Sequence, residues 1–244
     1  MSGDDLTAYE VRQEHSEPHA HPTFLSDFIL GSQDGLVNIL GIVLGVSAAT
    51  SNATILFVAA LAALGAESIS MGAVAYTSTL SRRRLYLKEE EQEYKEIEEV
   101  PNIERREVED VLVGWGYKGS ELKKLTDMIC SKPKAWVDFM MAFELKLSPV
   151  EREAPFKSML TVLGATIFGS FVPLIPFIVF AGSIHTGVIA SIILSAMVLF
   201  CIGYYEAKIT VGSIWRSGLQ MVVIGLVSGF AGYLIGSYVG ASPI

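Results

Sequence analysis

Five long stretches of this chain are nearly or wholly free of charge, and no other sequence feature limits its fold as strongly. Phe28 to Thr50 carries one charged side chain, Asp34, and Thr54 to Ser81 carries one, Glu67. Ser158 to Ile184, Thr186 to Tyr205 and Ser217 to Ile244 carry none. Each stretch has at least 20 residues, and about 20 helical residues cross a hydrocarbon layer about 30 Å thick. Within lipid the backbone must satisfy its own polar groups, which restricts spanning segments to helices and closed barrels. Stretches of this length are too long for barrel strands. The pattern therefore predicts an all-α membrane protein with five transmembrane helices.

The charge removed from these stretches is concentrated elsewhere. The chain has 26 acidic and 18 basic residues, of which 16 and 14 fall between Arg82 and Arg152. This divides the sequence into a polar N-terminal tail (residues 1–24), spans 1 and 2 (25–84), a charged helical insertion (85–152) and spans 3 to 5 (153–244). Lys and Arg favour the cytoplasmic ends of membrane helices. Arg82, Arg83, Arg84 and Lys88 follow span 2, Arg152 and Lys157 precede span 3, and Lys208 and Arg216 lie between spans 4 and 5. The connection at Ser51-Asn52-Ala53, the segment from Gly182 to His185 and the C-terminal end have no Lys or Arg. The N-terminus and the insertion are thus expected in the cytosol, and the C-terminus on the opposite side. A polar, acidic start is unlike a cleavable signal peptide. A net charge of −8 argues against nucleic acid, whose non-specific binding needs a basic face. Two cysteines cannot staple a small secreted domain. Asn52-Ala53-Thr54 matches a glycosylation sequon, yet it sits tight between two spans and is expected to be unmodified.

The two charges inside the spans are the first functional candidates. A carboxylate at a helix centre costs at least about 2.5–3.5 kcal/mol on insertion scales and usually faces a cavity, a partner or an ion. Asp34 has Asn38 four residues on, and Glu67 has Met71 four residues on, so each pair shares a helix face. Oxygen ligands with one thioether suit Fe²⁺ and similar divalent transition ions better than Ca²⁺ or Mg²⁺. Taken alone, Met71 reads equally as packing. Gly41-xxx-Gly45, Gly225-xxx-Gly229 and Gly232-xxx-Gly236-xxx-Gly240 permit close helix approach, within the bundle or between copies. Pro173 and Pro176 interrupt span 3 and free carbonyls for a role such as gating. Tyr204, Tyr205 and Trp215 suit an interfacial belt, and Cys201 reads as packing.

The insertion reads as helical throughout. Leu85 to Glu99 lacks Gly and Pro and extends span 2; Pro101-Asn102 breaks it, and Ile103 to Val113 returns. After Gly114, Gly116 and Gly119, one helix runs from Ser120 to Cys130, and a last one from Lys132-Pro133 to Lys146. Glu93 with Glu96, and Glu104 with Glu107, are i, i+3 pairs on single faces, and an antiparallel hairpin turning at Pro101 lets the two pairs oppose each other. Met140, Met141 and Glu144 lie close together on the last helix. On the residues alone two readings stand: a carboxylate-rich metal cluster, or a solvated acidic face, since residues 89–99 hold seven glutamates. The absence of histidine from the insertion disfavours an oxidase built on Glu-x-x-His pairs. His15, His19 and His21 in the tail read as part of a disordered segment.

Assembled, these motifs resemble the plant-type vacuolar iron transporters. The resemblance is carried by Asp27-Phe-Ile-Leu-Gly-Ser-Gln-Asp-Gly-Leu-Val-Asn38, Gly65-Ala-Glu-Ser-Ile-Ser-Met-Gly72, Phe171-Val-Pro-Leu-Ile-Pro176 and Gly203-Tyr-Tyr-Glu-Ala-Lys208. It implies a homodimer in the vacuolar membrane that moves cytosolic Fe²⁺ into the vacuole in exchange for protons. It also implies a pathway at the dimer interface lined by Asp34 and Met71, with Glu67 in the same motif and Asn38 beside Asp34. The family's cytosolic metal-binding domain corresponds to the insertion. Its ligands fall on Glu93, Glu96, Glu104, Glu107 and Glu144, with Met140 and Met141 beside them, and Zn²⁺, Mn²⁺ or Co²⁺ could replace Fe²⁺ on such donors. Two other readings compete: a membrane-anchored protein that binds or oxidises iron, and a passive divalent-cation channel.

Overall fold

Prolines, glycines and one asparagine determine where the helices begin and end. The computed structural model describes residues 22–180, 183–210 and 212–241, so the histidine-containing tail lies outside the described residues. Helix α1 spans Pro22–Ala49 and α2 spans Ala53–Glu99. Between them Asn52 acts as an N-cap: its Oδ1 accepts from the backbone N–H of Thr54 at 2.9 Å and of Ile55 at 3.3 Å, groups that no helical carbonyl can reach. The sequon asparagine is therefore committed to the turn.

At 47 residues, α2 is about 70 Å long by its rise of 1.5 Å per residue, more than twice a hydrocarbon layer. It ends at Val100, whose backbone leaves the helical region (φ −132°, ψ 46°), and Pro101 opens α3 (Pro101–Gly114) at the first position, where its missing N–H costs nothing. The end of α3 is a Schellman closure. Tyr117 N–H reaches the Leu112 carbonyl at 3.2 Å, Gly116 N–H reaches Val113 at 2.9 Å, and Gly116 takes φ +98°. Gly116→Ala is expected to cost about 1–2 kcal/mol, the penalty of a left-handed residue bearing a Cβ, read as a lower unfolding midpoint; an unchanged midpoint would contradict this account of the turn.

Helix α4 covers Gly119–Cys130 and α5 Pro133–Phe139. The sequence predicts that the last helix continues to Lys146. Instead a π turn occupies Met140–Glu144, closed by Leu145 N–H to the Met140 carbonyl at 3.1 Å, and the chain leaves through Lys146 at φ 55°. The wider turn holds one more residue than an α turn, and the adjacent Met140 and Met141 both face the core.

The third span is interrupted where its prolines predict: α6 (Ala154–Phe171) gives way to a 3-10 turn at Val172–Leu174 and then α7 (Ile175–Val179). Ser183 caps α8 (Ile184–Ile209), and α9 covers Ile214–Ala241. Five segments are long and apolar enough to cross a membrane: α1, the first part of α2, the α6–α7 run, α8 and α9. Among the described residues there is no strand.

Two compact units result: residues 1–69 with 161–244, and residues 70–160. In the first, Ile39, Val43, Leu56, Ala60, Leu174 and Phe177 form one buried cluster, and Leu36, Val172 and Leu199 another. Its outer face is equally apolar, with Val58, Ile69, Phe168, Val227 and Ile235 exposed, as lipid-facing helices require. Cys201, read from the sequence as a packing residue, lies on the exposed face of α8. The glycine stripes meet within one chain. A Cβ on Gly45 would come within 2.9 Å of the Gly232 carbonyl, and Cβ atoms on Gly232 and Gly236 would collide with the backbones of Gly41 and Gly45. Gly232→Val should separate α1 from α9 and cost at least the 1–3 kcal/mol or so of an overpacked core. Thermal denaturation of the detergent-solubilised protein measures it, and an unshifted midpoint would sink the packing argument.

The second unit has its own core of Ile97, Val108, Leu112, Trp136, Val137, Met140 and Met141, contributed by α2, α3, α5 and the π turn. Arg105 on α3 pairs with Asp127 on α4 and with Glu109 at 3.7 Å, fixing α4 beside the hairpin.

Candidate metal-binding sites

The hairpin of α2 and α3 brings three of the candidate glutamates together. One carboxylate oxygen from each of Glu93, Glu96 and Glu104 lies within 4.8 Å of the other two. Glu93 and Glu104 are only 5% and 4% exposed, and each has a buried Oε2 with no hydrogen-bond partner. Burying a carboxylate without a partner is costly enough that such groups normally neutralise, pair or bind a metal. Among the described residues the charges that act on them are those of other glutamates. Burial pushes the Glu93 carboxyl up to about 7, with Glu144, Glu96, Glu107 and Glu89 adding repulsion. Burial likewise pushes Glu104 up to about 8, reinforced by Glu107, Glu93, Glu96 and Glu144. Glu144, on the exposed rim of the π turn, is raised by burial and then by Glu107 and Glu96. All five predicted glutamates therefore share one electrostatic neighbourhood.

The methionines sit differently. Met140 and Met141 are 0% and 2% exposed and belong to the apolar core with Ile97 and Val108, the chain neighbours of Glu96 and Glu107. They back the carboxylate cluster from the hydrophobic side.

In the first unit, Glu67 on α2 meets the side chains of Asn38 and Asp34 on α1. Asp34 and Glu67 are half-buried, and Glu67 too has a buried Oε2 with no partner. Three of the four predicted pathway residues are thus drawn together inside the spans. Met71, half-buried on α2, falls within the second unit. From Asn38 an open groove of about 540 Å³ follows α1 past Gly41 and Gly45, with Ser228 and Gly232 of α9 on its other wall.

The sequence profile described as the VIT family covers residues 25–237. The chain is 33% identical over 221 residues to vacuolar iron transporter 1 of Eucalyptus grandis, covering 90% of this chain and 88% of that one. It is 32% identical over 224 residues to vacuolar iron transporter 1 of Tulipa gesneriana, covering 91% and 90%. It is 28% identical over 220 residues to protein CCC1 of Saccharomyces cerevisiae, covering 87% and 68%. The chain belongs to the VIT family.

Within this VIT-family chain the sequence reading missed Ser68. It follows Glu67, is 2% exposed and has a hydroxyl without a partner, which puts a second buried polar group beside the intramembrane carboxylate. Its sequence signal is a small hydroxyl residue directly after the intramembrane glutamate. The π turn was also missed, because no residue type in Met140-Met141-Ala142-Phe143-Glu144 disfavours an α-helix.

Proposed function

We propose that this VIT-family protein moves Fe²⁺ from the cytosol into the vacuole in exchange for protons. The observation that carries the reading is the convergence of Glu93, Glu96 and Glu104 within 4.8 Å with two buried, unpartnered oxygens. Three carboxylates without a counter-cation are a poor structural device and a good divalent-metal trap. The relatives are named as transporters of iron, and this chain is read as a transporter and not as an enzyme.

In this reading the insertion and the N-terminus face the cytosol. Glu93, Glu96, Glu104, Glu107 and Glu144 collect the ion, and Met140 and Met141 supply softer donors from the core side. Asp34, Asn38 and Glu67 form the intramembrane station, and a homodimer would double it across a two-fold axis; Met71 is carried as a pathway residue by the family resemblance alone. Carboxylates bind a metal only when deprotonated, so protons entering from an acidic lumen displace Fe²⁺ there, and proton loss toward the cytosol restores the site. Mn²⁺, Co²⁺ and Zn²⁺ fit the same donor types.

The decisive experiment is ion flux into proteoliposomes with and without an imposed pH gradient. Antiport predicts that Fe²⁺ uptake follows the gradient, acidifies the outside as iron enters, and collapses with a protonophore. Flux that follows the iron gradient alone would establish a passive channel instead. Fe²⁺ oxidation by O₂ without uptake would establish the anchored oxidase.

A further inference from the structure

Several hydroxyls in the spans bond back to their own helix. Ser32 donates to the Phe28 carbonyl at 2.7 Å, Thr166 to Val162 at 2.8 Å and Ser237 to Tyr233 at 2.8 Å. This is the ordinary solution for Ser and Thr in a helix with no water. Ser170 and Ser195 depart from it: both are 0% exposed and both have Oγ atoms with no partner.

The two residues flank the same irregularity. Ser170 stands in the last turn of α6, directly before the 3-10 turn at Val172–Leu174. Its Oγ is aimed at α1, lying 2.6 Å from where a Cβ on Gly35 would be. Ser195 stands on α8, which pairs with the break: Ser191 Oγ donates to the Pro173 carbonyl at 2.8 Å. Ser195 lies one turn beyond Ser191 on the same face. Gly187 lies against Phe177 and Ser191 against Pro173, and continuing that antiparallel register brings Ser195 level with Gly169 and Ser170. Pro173 and Pro176 have no N–H, so the α-helical donors to the Gly169 and Val172 carbonyls are missing. Hydroxyls without acceptors and carbonyls without their usual donors therefore occupy one buried seam between α1, the α6–α7 break and α8.

We propose that this seam is a binding site for ordered water, held by the hydroxyls of Ser170 and Ser195 and the carbonyls at the proline break. A buried water typically makes about three hydrogen bonds to otherwise unsatisfied groups, and the two hydroxyls and two carbonyls offer donors and acceptors, none of them charged. A neutral ligand that both donates and accepts suits it better than a cation. Water here keeps the break hydrogen-bonded while allowing the angle between α6 and α7 to change, as inserted water does in other kinked helices. This assignment does not depend on which ion the protein carries.

Radiolytic hydroxyl-radical footprinting of the full-length protein in detergent tests it, because X-rays generate radicals from bound water inside the protein. Leu174, Phe177 and Leu199 are buried in the surrounding clusters and should be modified on millisecond exposure, whereas radicals made in bulk solvent should leave them unmodified. The double variant Ser170→Ala, Ser195→Ala should reduce their labelling several-fold, and Ser195→Thr should keep it. Background labelling of these residues in the wild type would overturn the proposal without any variant. Labelling that changes when Na⁺ is exchanged for K⁺ would also overturn it, by assigning the seam to a monovalent cation.

Discussion

Asp34→Asn is expected to reduce pH-gradient-driven Fe²⁺ uptake into proteoliposomes by about tenfold to a hundredfold, a loss that even an outer partner of a metal site can cause. The substitution keeps size and hydrogen-bonding capacity and removes the charge, so the protein should still fold and insert. Glu67→Gln should have a similar effect, because Glu67 faces Asp34 and Asn38 across α1 and α2. The double variant should be little worse than either alone, since groups that act together on one ion give non-additive losses. Size-exclusion profiles of solubilised wild type and variants check folding, and initial uptake rates check function. Wild-type rates in Asp34→Asn would remove the intramembrane station from the pathway.

The second large effect belongs to the insertion. Without metal, the raised carboxyls of Glu93, at about 7, and Glu104, at about 8, mean that the native state holds protons an unfolded chain releases near 4.5. Their contribution to stability is then fully present below about pH 4.5 and is lost as pH rises through 7 to 8, because the unfolded state binds fewer of these protons than the native one over that range. A divalent ion reverses the trend: the deprotonated cluster that destabilises the apo protein is the form that binds metal. Thermal unfolding followed by tryptophan fluorescence between pH 5.5 and 8.5, in chelator and in anaerobic Fe²⁺ or Mn²⁺, should show midpoints falling with pH in the first case and the metal-induced increase growing with pH in the second. Glu104→Gln should flatten the apo pH dependence and weaken metal binding by about tenfold to a hundredfold. Equal metal affinity and equal pH dependence in wild type and variant would return the acidic face to simple solvation.

The spans were legible in the sequence because lipid imposes one rule on every residue it touches, and Phe28 to Thr50 or Ser217 to Ile244 obey it without help from neighbours. The hairpin was legible because Pro101 can begin a helix but not continue one, and its position sets the distance from Glu93 and Glu96 to Glu104 and Glu107. The partner of each glycine stripe was not legible. Gly41-xxx-Gly45 serves a second chain as readily as α9, and only the fold shows that Gly232 and Gly236 occupy that surface. Met140 and Met141 were read by α-helical spacing, which cannot show that their turn is wider and that both side chains enter the core beside Ile97 and Val108. Ser170 and Ser195 carried no signal, since a serine in a span is ordinarily satisfied by its own helix.

The widened turn at Met140–Glu144 also changes what a single-residue deletion would do. Removing Ala142 would let the segment relax into a regular α-helix with Glu144 facing close to where it faces now, because the wide turn takes up the one residue deleted; closing the turn with Ala142 in place would instead swing Glu144 by roughly 100° relative to α5. The closed, undeleted turn would keep every glutamate and methionine and lose the fifth carboxylate from the neighbourhood of the other four. In this chain the length of that segment therefore shapes the carboxylate neighbourhood as much as its letters do.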